Sequence, residues 1–284
     1  MITQTPAYLA RLKATEDSFT ETEKKIADFL LNSPDEIIHL SITELSEKTK
    51  TSDSSIIRLC RKIGYKGYQD MKIDIAQSLT TPTKQLHEDI NENDSIAQIK
   101  EKVFLAASST ILDTLHVLYD SELEKAITTI TKAKRIMFLG SGASAMVALD
   151  AQHKFLKIGI PVLTFLDNHM QLMGSSMLTE DDVVIAISHS GSNKDILAPI
   201  ALCREAGTTI IAITNYSKSP LTKQADINLF TSSKETKFRT DATASRIAQL
   251  TIIDLLITGI VLTNQKVYLD NFKRTREATS NRRF

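Results

Sequence analysis

The sequence has few of the residues that build disulfide or metal sites. Its 284 residues include only two cysteines, Cys60 and Cys203, and each lies within an apolar pattern. Two isolated cysteines argue against a disulfide framework and a zinc cluster, and they favour a reducing compartment. The six histidines form no metal-ligand pair at helical spacing, and no His-Glu-x-x-His motif occurs. We therefore expect no metal ion and no cofactor.

The sequence also lacks an excess of charge and a long apolar run. Lys and Arg together number 34, as do Asp and Glu, so any attraction to nucleic acid or to a membrane surface must be local. The N-terminus has no basic segment followed by an apolar core, and the longest apolar stretches, such as 255–262, are too short to span a bilayer. We expect a cytoplasmic protein that does not bind membranes.

The length and the 42% hydrophobic content are sufficient for two domains with separate cores. Residues 1–78 have helical periodicity and no glycine before Gly64, which indicates a small all-α domain. The segment Leu79-Thr80-Thr81-Pro82-Thr83 breaks this pattern, so we assign 79–120 to a linker and a bridging helix. Residues 121–284 are predicted to form an α/β domain that ends in C-terminal helices.

Two short helices in the first domain are predicted to form a helix-turn-helix. Ser41-x-x-Glu44 is a capping box that begins one helix, and Ser52 can cap the next after a turn at 49–51. In that second helix Ile56, Cys60 and Ile63 share an inner face, and Gly64 ends it. The second helix of such a unit enters the major groove of DNA.

Charge is concentrated around this second helix. Residues 48–72 contain seven basic and two acidic side chains, although residues 1–80 are nearly balanced overall. A solvated helix face is the alternative interpretation, but the short turn and the clustering favour contact with operator DNA. We expect Tyr65 and Tyr68 to close the base of the domain and Lys66 to contact phosphate. The predicted DNA-binding residues are Lys50, Ser52, Ser54, Ser55, Arg58, Arg61, Lys62 and Lys66.

The remainder of the chain alternates between helical and strand-like patterns. A bridging helix from Ser95 to about Leu118 could carry a signal or form a dimer face, and Ser121 is predicted to cap the helix that follows. Strands are predicted near 135–139, 162–166, 183–187, 209–213 and 227–230, with helices between them. A long helical region begins near Ala242. This order predicts a doubly wound parallel sheet.

Two of these strands end in loops rich in glycine and serine. The first strand runs into Gly140-Ser141-Gly142-Ala143-Ser144, and the third runs into Ser188-His189-Ser190-Gly191-Ser192. Glycine lets the backbone approach a ligand, and the first turn of a following helix offers unpaired N–H groups to a phosphate or carboxylate. The pair predicts an anion-binding cradle, although each loop alone could be an ordinary connection made of small residues.

Other nucleotide-binding motifs fit these loops less well. The first loop reads Gly-x-Gly-x-Ser instead of the three-glycine dinucleotide pattern, and only Asp167 could serve as the ribose-binding acid. A P-loop is excluded, because no Lys-Ser or Lys-Thr follows the glycines at the required spacing.

In its ordered motifs the chain resembles RpiR-family transcriptional regulators, in which a sugar isomerase (SIS) domain follows a helix-turn-helix domain. The resemblance covers nearly the entire length. It rests on the segments 40–45, 57–68, 140–144, 187–191 and 245–250. It implies a phosphorylated sugar as the effector, which changes the affinity for an operator. The effector-binding residues that it implies are Ser141, Gly142, Ser144, Ser188, Ser190, Gly191, Ser192 and Asn193.

Two features bear on the exact function. Many SIS proteins have threonine at the position of Asn193 and glutamate at the position of Asp195, so the sugar preference can differ.

The alternative function is an SIS-domain sugar-phosphate isomerase or lyase with an accessory DNA-binding domain. Its candidate bases are His153, Asp167, His169, His189 and Glu235, but none has a recognisable activating partner. We expect no enzyme activity, a homodimer or homotetramer formed through the SIS domains, and repression of carbohydrate metabolism genes.

Overall fold

A computed structural model describes residues 6–38, 40–79, 90, 92–233 and 243–280. Its backbone contacts divide the chain into two compact units. We call Met1–Val117 with Ser232–Phe238 the N-terminal unit, and Leu118–Thr231 with Arg239–Phe284 the C-terminal unit. The predicted linker segment 79–83 lies, apart from the helical backbone of Leu79, outside the described residues.

The described part of the N-terminal unit is helical. It contains a short 3-10 turn at Glu16–Ser18 and the helices α1 (Ala7–Thr15), α2 (Glu21–Asn32), α3 (Pro34–Ile37), α4 (Ile42–Thr49), α5 (Asp53–Lys62), α6 (Tyr68–Leu79) and α7 (Ile96–Val117). Side chains from α2, α4 and α5 form one apolar core, in which Leu30, Leu45, Ile56 and Leu59 are all fully buried. The predicted all-α character of the N-terminal region is confirmed.

Two capping boxes begin helices in this unit. At the start of α2, the Glu23 N–H donates to Thr20 Oγ1 at 3.3 Å, and the Thr20 N–H donates to Glu23 Oε2 at 2.9 Å. The predicted box at α4 is confirmed, with the same reciprocal bonds between Ser41 and Glu44. Each box satisfies N–H groups that would otherwise lack a partner at the helix N-terminus.

The C-terminal unit is a five-stranded parallel sheet flanked by helices. In chain order its elements are α8 (Asp120–Lys132), β1 (Ile136–Gly140), α9 (Ala143–Lys157), β2 (Val162–Thr164), α10 (Asn168–Ser175), β3 (Val183–Ile187), α11 (Lys194–Glu205), β4 (Thr209–Asn215), α12 (Pro220–Gln224), β5 (Ile227–Thr231), α13 (Thr243–Thr263) and α14 (Gln265–Ser280). The strand order is β2-β1-β3-β4-β5. The order reverses between β1 and β3, where sheets of this type bind ligands beyond the carboxyl ends of the strands.

Both faces of the sheet are covered, which explains why its central strands are continuous apolar runs. Phe138 and Ile185 point to one face and pack with α9 and α13 side chains such as Phe155 and Ile253. Met137 and Val184, one residue away on the same strands, belong to a second core with α11. The predicted doubly wound α/β fold is confirmed.

An ion pair joins the chain just before β1 to the chain just before β3. Arg135 Nε donates to Asp182 Oδ1 at 3.0 Å, and the Thr179 N–H donates to Asp182 Oδ2 at 2.7 Å. Burial opposes ionisation of Asp182, but the bonds from Arg135 and Thr179 outweigh it and lower the pKa of this carboxyl below its usual value. The pair links the starts of β1 and β3, the two strands that carry the glycine-serine loops.

Two predictions about helices are wrong. Ser121 does not cap α8, because the helix begins at Asp120, with Tyr119 at the N-cap position two residues before Ser121 and no side-chain cap. Its first turn carries Asp120 and Glu122, whose charges favour a helix N-terminus. The apolar stretch at 255–262 is part of the longer helix α13, and Ala244–Thr263 on it would suffice to cross a bilayer by length and composition alone. Ala248, Ile252 and Ile260 on that helix are nevertheless buried within this unit.

Candidate functional site

The helix-turn-helix has the local geometry that the sequence predicts. Lys50 ends α4 in the left-handed conformation, with φ of 52°, and the Thr51 N–H returns to the Ser46 carbonyl at 2.9 Å. Ser52 then caps α5 by accepting from the Ser55 N–H at 3.3 Å. The tight turn lets Leu45 of α4 and Ile56 of α5 share one core.

One row of α5 faces solvent. Ser54, Arg58 and Arg61 are exposed at spacings of four and three, whereas Ile56, Cys60 and Ile63 on the opposite face are fully buried. The Arg58 guanidinium also donates to Ser55 Oγ at 3.1 Å, which limits the conformations of its side chain. This row presents two cations and a hydroxyl, the groups that contact phosphates and base edges.

Several other predicted DNA-binding residues lie near this row. Lys50 and Ser52 are exposed in the turn before α5. Arg61 and Lys66 line a shallow groove of about 470 Å³, and Gly67 has open space where a side chain would begin. Ser41 also lines the groove. Its backbone N–H donates to the Glu44 carboxylate, and this bond lowers the pKa of Glu44. We name Lys50, Ser52, Ser54, Arg58, Arg61 and Lys66 the basic face.

Two predicted DNA-binding residues do not lie on the basic face. The Lys62 ammonium donates to the Ser18 carbonyl at 2.5 Å and to Glu23 Oε2 at 2.7 Å, and its side chain is only 15% exposed. Burial opposes ionisation of Glu23, but its bonds from Lys62 and Thr20 lower its pKa. Ser55 is buried beneath the start of α5. The geometry therefore assigns Lys62 and Ser55 to the internal structure of the unit.

The two tyrosines after α5 have structural positions. The Tyr65 ring is buried, its hydroxyl donates to Asp74, and the Arg11 guanidinium lies 4.7 Å from its ring centre. The Tyr68 hydroxyl donates to the Leu40 carbonyl at 3.1 Å. Both hydroxyls thus bond within the unit, and Tyr68 also lines the groove beside Arg61 and Lys66.

In the C-terminal unit, the two glycine-serine loops begin at neighbouring positions on one edge of the sheet. The parallel register pairs Gly140 at the end of β1 with Ile187 at the end of β3. Residues 140–144 and 188–193 contain no lysine or arginine, so these loops offer an anion hydroxyls, amides, backbone N–H groups and the His189 imidazole. We name these two loops the cradle.

Glycine is required twice in the first loop. A side chain at Gly140 would begin 2.6 Å from the Ser144 carbonyl oxygen, so the backbone could not turn so tightly. Gly142 has φ of 57° and ψ of −126°, a conformation that only glycine adopts readily. It also occupies the N-cap position of α9, where no side chain caps the helix. The α9 N-terminus and the partly exposed Ser141 and Ser144 are thus open to a ligand.

The second loop has one buried and two exposed serines. Ser188 is buried, and its Oγ accepts from the Gly191 N–H at 3.2 Å. Ser190 and Ser192 are exposed and bond to each other, with the Ser192 N–H donating to Ser190 Oγ at 3.3 Å. Ser188 thus organises the loop, while Ser190 and Ser192 present hydroxyls to solvent. Gly191 has φ of 60°.

Asn193 caps the helix that follows this loop. Its Oδ1 accepts from the Asp195 N–H at 2.9 Å, which leaves the amide nitrogen to donate to a ligand. Asp195 in turn accepts from Asn168 Nδ2 at 3.0 Å. The two positions that depart from the SIS pattern therefore lie beside each other at the N-terminus of α11.

Two residues that support the cradle were not predicted from the sequence. Gln171 is buried in α10, and its Nε2 donates to the carbonyls of Gly140 at 2.7 Å and Phe165 at 2.8 Å. Ser219 lies directly against Gly191, where a side chain would begin 2.2 Å from its Oγ. Ser219 could have been recognised as an N-cap, because Pro220 follows at the first helical position. Nothing in the sequence around Gln171 indicates its contacts.

Two of the candidate catalytic bases take part in local structure. Asp167, considered as a ribose-binding acid or a base, caps α10 by accepting from the Met170 N–H at 3.0 Å. The His189 backbone carbonyl accepts from Thr214 Oγ1 at 3.2 Å, a bond that anchors the loop through the main chain and does not involve the imidazole. Glu235 lies outside the described residues. The described side chains include no group of three or more histidine, cysteine or carboxylate residues that could hold a metal.

The chain resembles known proteins over nearly its full length. Residues 7–82 match the helix-turn-helix domain of the rpiR family, and residues 129–259 match the SIS domain. An uncharacterised HTH-type transcriptional regulator from Caldanaerobacter subterraneus is 44% identical, and the alignment covers 92% of each chain. The HTH-type transcriptional regulator HexR from Escherichia coli is 34% identical over 97% of this chain and 95% of its own.

A solved structure supports the same assignment. The Vibrio vulnificus NanR protein complexed with ManNAc-6P has a TM-score of 0.62 and 25% sequence identity, and the alignment covers 97% of this chain and 99% of that one. The basic face lies within the segment that matches the helix-turn-helix domain, and the cradle lies within the segment that matches the SIS domain. The chain therefore belongs to the RpiR family of helix-turn-helix transcriptional regulators with a C-terminal SIS domain.

Proposed function

We propose that this regulator binds operator DNA through the basic face and a phosphorylated sugar through the cradle, and that the sugar phosphate changes its affinity for DNA. The observation that carries the proposal is the cradle, two hydroxyl-lined loops side by side where the strand order reverses. The NanR protein, solved with ManNAc-6P, supports a sugar phosphate as the class of effector.

The phosphate group would lie between the exposed serines and the α9 N-terminus. Ser190 and Ser192 offer hydroxyls, and α9 begins without a side-chain cap, with the Ser144 and Ala145 N–H groups donating to the carbonyls of Ser141 and Gly142 at 3.2 and 3.1 Å. A helix N-terminus favours an anion through both its free N–H groups and its dipole. Ser141, Ser144 and Asn193 are then placed to contact the sugar hydroxyls or the phosphate, and Ser188 and Gly191 hold the loop in shape.

The DNA would be bound by α5 in the major groove. Arg58, Arg61 and Ser54 form the row that faces solvent, and Lys50, Ser52 and Lys66 flank it. Lysine and arginine contacts to phosphate provide affinity that falls with salt, whereas contacts from the exposed row to base edges provide specificity. Two copies of the helix would recognise a palindromic operator.

The two binding events are coupled thermodynamically. If the effector binds the DNA-free state more tightly, DNA must weaken effector binding by the same factor. A coupling free energy of about 1–3 kcal/mol produces a 5- to 150-fold change in operator affinity. We propose that the chain represses carbohydrate metabolism genes and that the sugar phosphate releases it from DNA.

We also propose that the chain has no catalytic activity. Its relatives are named as transcriptional regulators. Aldose–ketose isomerisation of a sugar phosphate needs a base that can remove a proton beside the carbonyl. Apart from the His189 imidazole, the cradle provides hydroxyls and amides, which hold a phosphate but are too weakly basic for this step.

The experiment begins with selection of bound sequences from a random duplex library. The selected duplex is then titrated with the full chain in the presence and absence of a panel of sugar phosphates. We expect a palindromic sequence and at least one sugar phosphate that changes its affinity by fivefold or more, in line with a coupling of about 1 kcal/mol. Sequence-independent binding, or an affinity that no sugar phosphate alters, would contradict the proposal.

A further inference from the structure

Three side chains of the C-terminal unit are buried without satisfying their polar atoms. Gln249 on α13 is 1% exposed, and neither its Oε1 nor its Nε2 has a hydrogen-bond partner among the described residues. Ser245 on the same helix and Thr231 at the end of β5 are also buried, and in the described part of the chain their hydroxyls have no partner either. Buried polar groups are normally hydrogen-bonded, because an unpaired one costs free energy. The three side chains therefore indicate a place that a polar molecule fills.

Two of them lie in a segment that has no role in the proposed function. Ser245 and Gln249 belong to 245–250, which carries part of the resemblance to RpiR-family regulators. They are four positions apart, so they lie on one side of α13. That helix packs against α9 and against β4 and β5. Its buried side chains therefore lie between α9 and these two strands.

An ion pair shows where these residues lie relative to the cradle. Lys154 Nζ on α9 lies 2.5 Å from Asp254 Oδ1 on α13. Both helices follow strands of the parallel sheet and begin at its carboxyl edge, and α14, which directly follows α13, contacts the C-terminal end of α9. Ser245 precedes Asp254 by nine residues, and Ala145 precedes Lys154 by nine, a rise of about 13–14 Å in each helix. Ser245 is thus at about the level of Ala145, which directly follows Ser144 of the cradle.

Thr231 lies at the same edge of the sheet. It ends β5, where it alternates with Ile227 and Leu229, whose side chains pack in the core that contains α13. Its hydroxyl therefore points to the side of the sheet that α13 covers. Because β5 is two strands from β3, Thr231 lies about 10 Å across the sheet from the second loop of the cradle. Thr231 and Ser245 both lie near the carboxyl edge, and Gln249 lies one helical turn further inside.

The unpaired atoms match the sugar part of a sugar phosphate. A sugar hydroxyl both donates and accepts, so sugar hydroxyls can pair with Gln249 Oε1, with Gln249 Nε2 and with the hydroxyls of Ser245 and Thr231. A carboxylate only accepts and would leave Gln249 Oε1 unpaired. An apolar group would leave every one of these atoms unpaired. The atoms therefore favour an uncharged, hydroxyl-bearing group over a carboxylate at the end of the ligand opposite the phosphate.

We propose that Gln249, with Ser245 and Thr231, binds the hydroxyl groups of the sugar whose phosphate lies in the cradle. This inference rests on the proposed function and adds the part of the site that distinguishes one sugar from another. A site built to pair with a hydroxyl rejects an analogue that lacks it, because the buried groups of the site then stay unpaired. Gln249 is thus a specificity-determining residue, whereas the cradle binds the phosphate that all sugar phosphates share.

The test uses Gln249→Met in the full chain, which removes both polar atoms and nearly preserves the size of the side chain. Isothermal titration would measure binding of glucose 6-phosphate, fructose 6-phosphate, N-acetylmannosamine 6-phosphate, ribose 5-phosphate, 6-phosphogluconate and inorganic phosphate. We expect an uncharged sugar phosphate to bind the wild type more tightly than 6-phosphogluconate does. The tightest-binding sugar phosphate should bind Gln249→Met at least about tenfold more weakly, and inorganic phosphate should bind both proteins equally.

A measurement without ligand separates a binding role from a structural one. Gln171→Met removes an amide that donates to the carbonyls of Gly140 and Phe165, so it should lower the urea midpoint of unfolding. Gln249→Met removes an amide that pairs with none of the described residues, so its midpoint should equal or exceed that of the wild type. Gln265→Met changes an exposed glutamine at the start of α14 and is the matched control. It should alter neither the midpoint nor the affinity for sugar phosphate.

The outcomes distinguish failure of this inference from failure of the proposed function. If none of the five sugar phosphates bound the wild type, the proposed function would be wrong, and this inference with it. If one of them bound the wild type and Gln249→Met equally, or if 6-phosphogluconate bound most tightly, only the inference would be wrong. An equal loss of affinity for inorganic phosphate would also overturn it, because the substitution would then act through the cradle. So would a fall in the urea midpoint as large as that of Gln171→Met, since the amide would then be paired within the fold by an ordered water.

Discussion

The basic face and the cradle are both proposed to bind phosphate, but they are built from different chemistry. On α5, Arg58 and Arg61 present full charges on flexible, exposed side chains. In the cradle, Ser190, Ser192 and the α9 N-terminus present neutral donors whose positions are set by the backbone. DNA offers repeated phosphates to a charged surface, which favours long-range attraction, whereas a single sugar phosphate must be selected by shape.

The difference extends to how each surface is held in place. The basic face depends on a helix that is anchored from behind by Ile56, Cys60 and Ile63. The cradle depends on close contacts between backbone segments, such as that of Gly191 with Ser219. Substitutions should therefore act through lost charge on the basic face and through altered backbone shape in the cradle.

The largest effect is expected at Gly191. Gly191→Val would place a branched residue at a backbone φ of 60°, and its Cβ would lie 2.2 Å from Ser219 Oγ. The loop must therefore change shape. We expect sugar-phosphate affinity to fall at least about 100-fold, since backbone strain of this kind costs about 1–3 kcal/mol and the clash adds to it. Isothermal titration with the best sugar phosphate would measure the loss.

Gly67→Ala is the control for this prediction, because a side chain at Gly67 would meet no atom within 4 Å. It should leave sugar-phosphate affinity unchanged. If Gly191→Val bound the ligand as the wild type does, the second loop would not hold the phosphate.

Substitutions in the exposed row should weaken DNA binding by a smaller factor. Arg58→Ala and Arg61→Ala should each reduce operator affinity about tenfold, and loss of a phosphate contact should reduce the salt slope by about one unit. Fluorescence anisotropy at several salt concentrations would measure both quantities.

Lys24→Ala is a matched control in the same unit, since this exposed lysine pairs with Glu21 on α2. It should leave operator affinity and its salt dependence unchanged. Equal losses for Lys24→Ala and Arg61→Ala would show that only total charge matters.

Substitution of Lys62 should distinguish a lysine that stabilises the fold from the basic residues that bind DNA. Lys62→Met leaves the Glu23 carboxylate, only 13% exposed, without its partner, so we expect the free energy of unfolding to fall by about 1–3 kcal/mol. The salt slope for DNA binding of the folded protein should stay the same. Chemical denaturation and anisotropy would measure these two effects, and a lower salt slope with unchanged stability would place Lys62 on the basic face.

The smallest effect concerns the acid stability of the C-terminal unit. The pKa of Asp182 is lowered in the folded state, so its contribution to stability is present above its unfolded pKa, near 3.8, and is lost as the pH falls through the folded value. Asp182→Asn should lower stability at neutral pH and remove this part of the decline below about pH 4. Urea unfolding between pH 2 and 7, buffered at about equal ionic strength, would test it. If the stability of Asp182→Asn fell below about pH 4 as much as that of the wild type, other carboxylates would cause the decline.

The sequence was sufficient for the features that depend on local patterns. The capping box at Ser41, the cap at Ser52 and the apolar strand at 183–187 followed from residue spacing alone. The neighbouring positions of the two loops depend on the pairing of β1 with β3, which residue spacing does not reveal. Local patterns also indicated which face of α5 lies inward at Ile56, Cys60 and Ile63.

The sequence was not sufficient where distant residues decide the outcome. Lys62 pairs with Glu23, 39 positions away, so a basic residue near the recognition row became an internal one. Gln171 supports Gly140 from 31 positions away, and no pattern around Gln171 reveals this.

The most direct test of the division between the two surfaces is the thermal unfolding of the wild-type chain and Ser190→Trp with phosphorylated and unphosphorylated sugars. We predict that at least one sugar phosphate raises the wild-type Tm, that the same sugar without phosphate does not, and that Ser190→Trp shows no increase while still binding operator DNA. An equal increase in the variant, or no increase with any sugar phosphate, would contradict the assignment of the cradle.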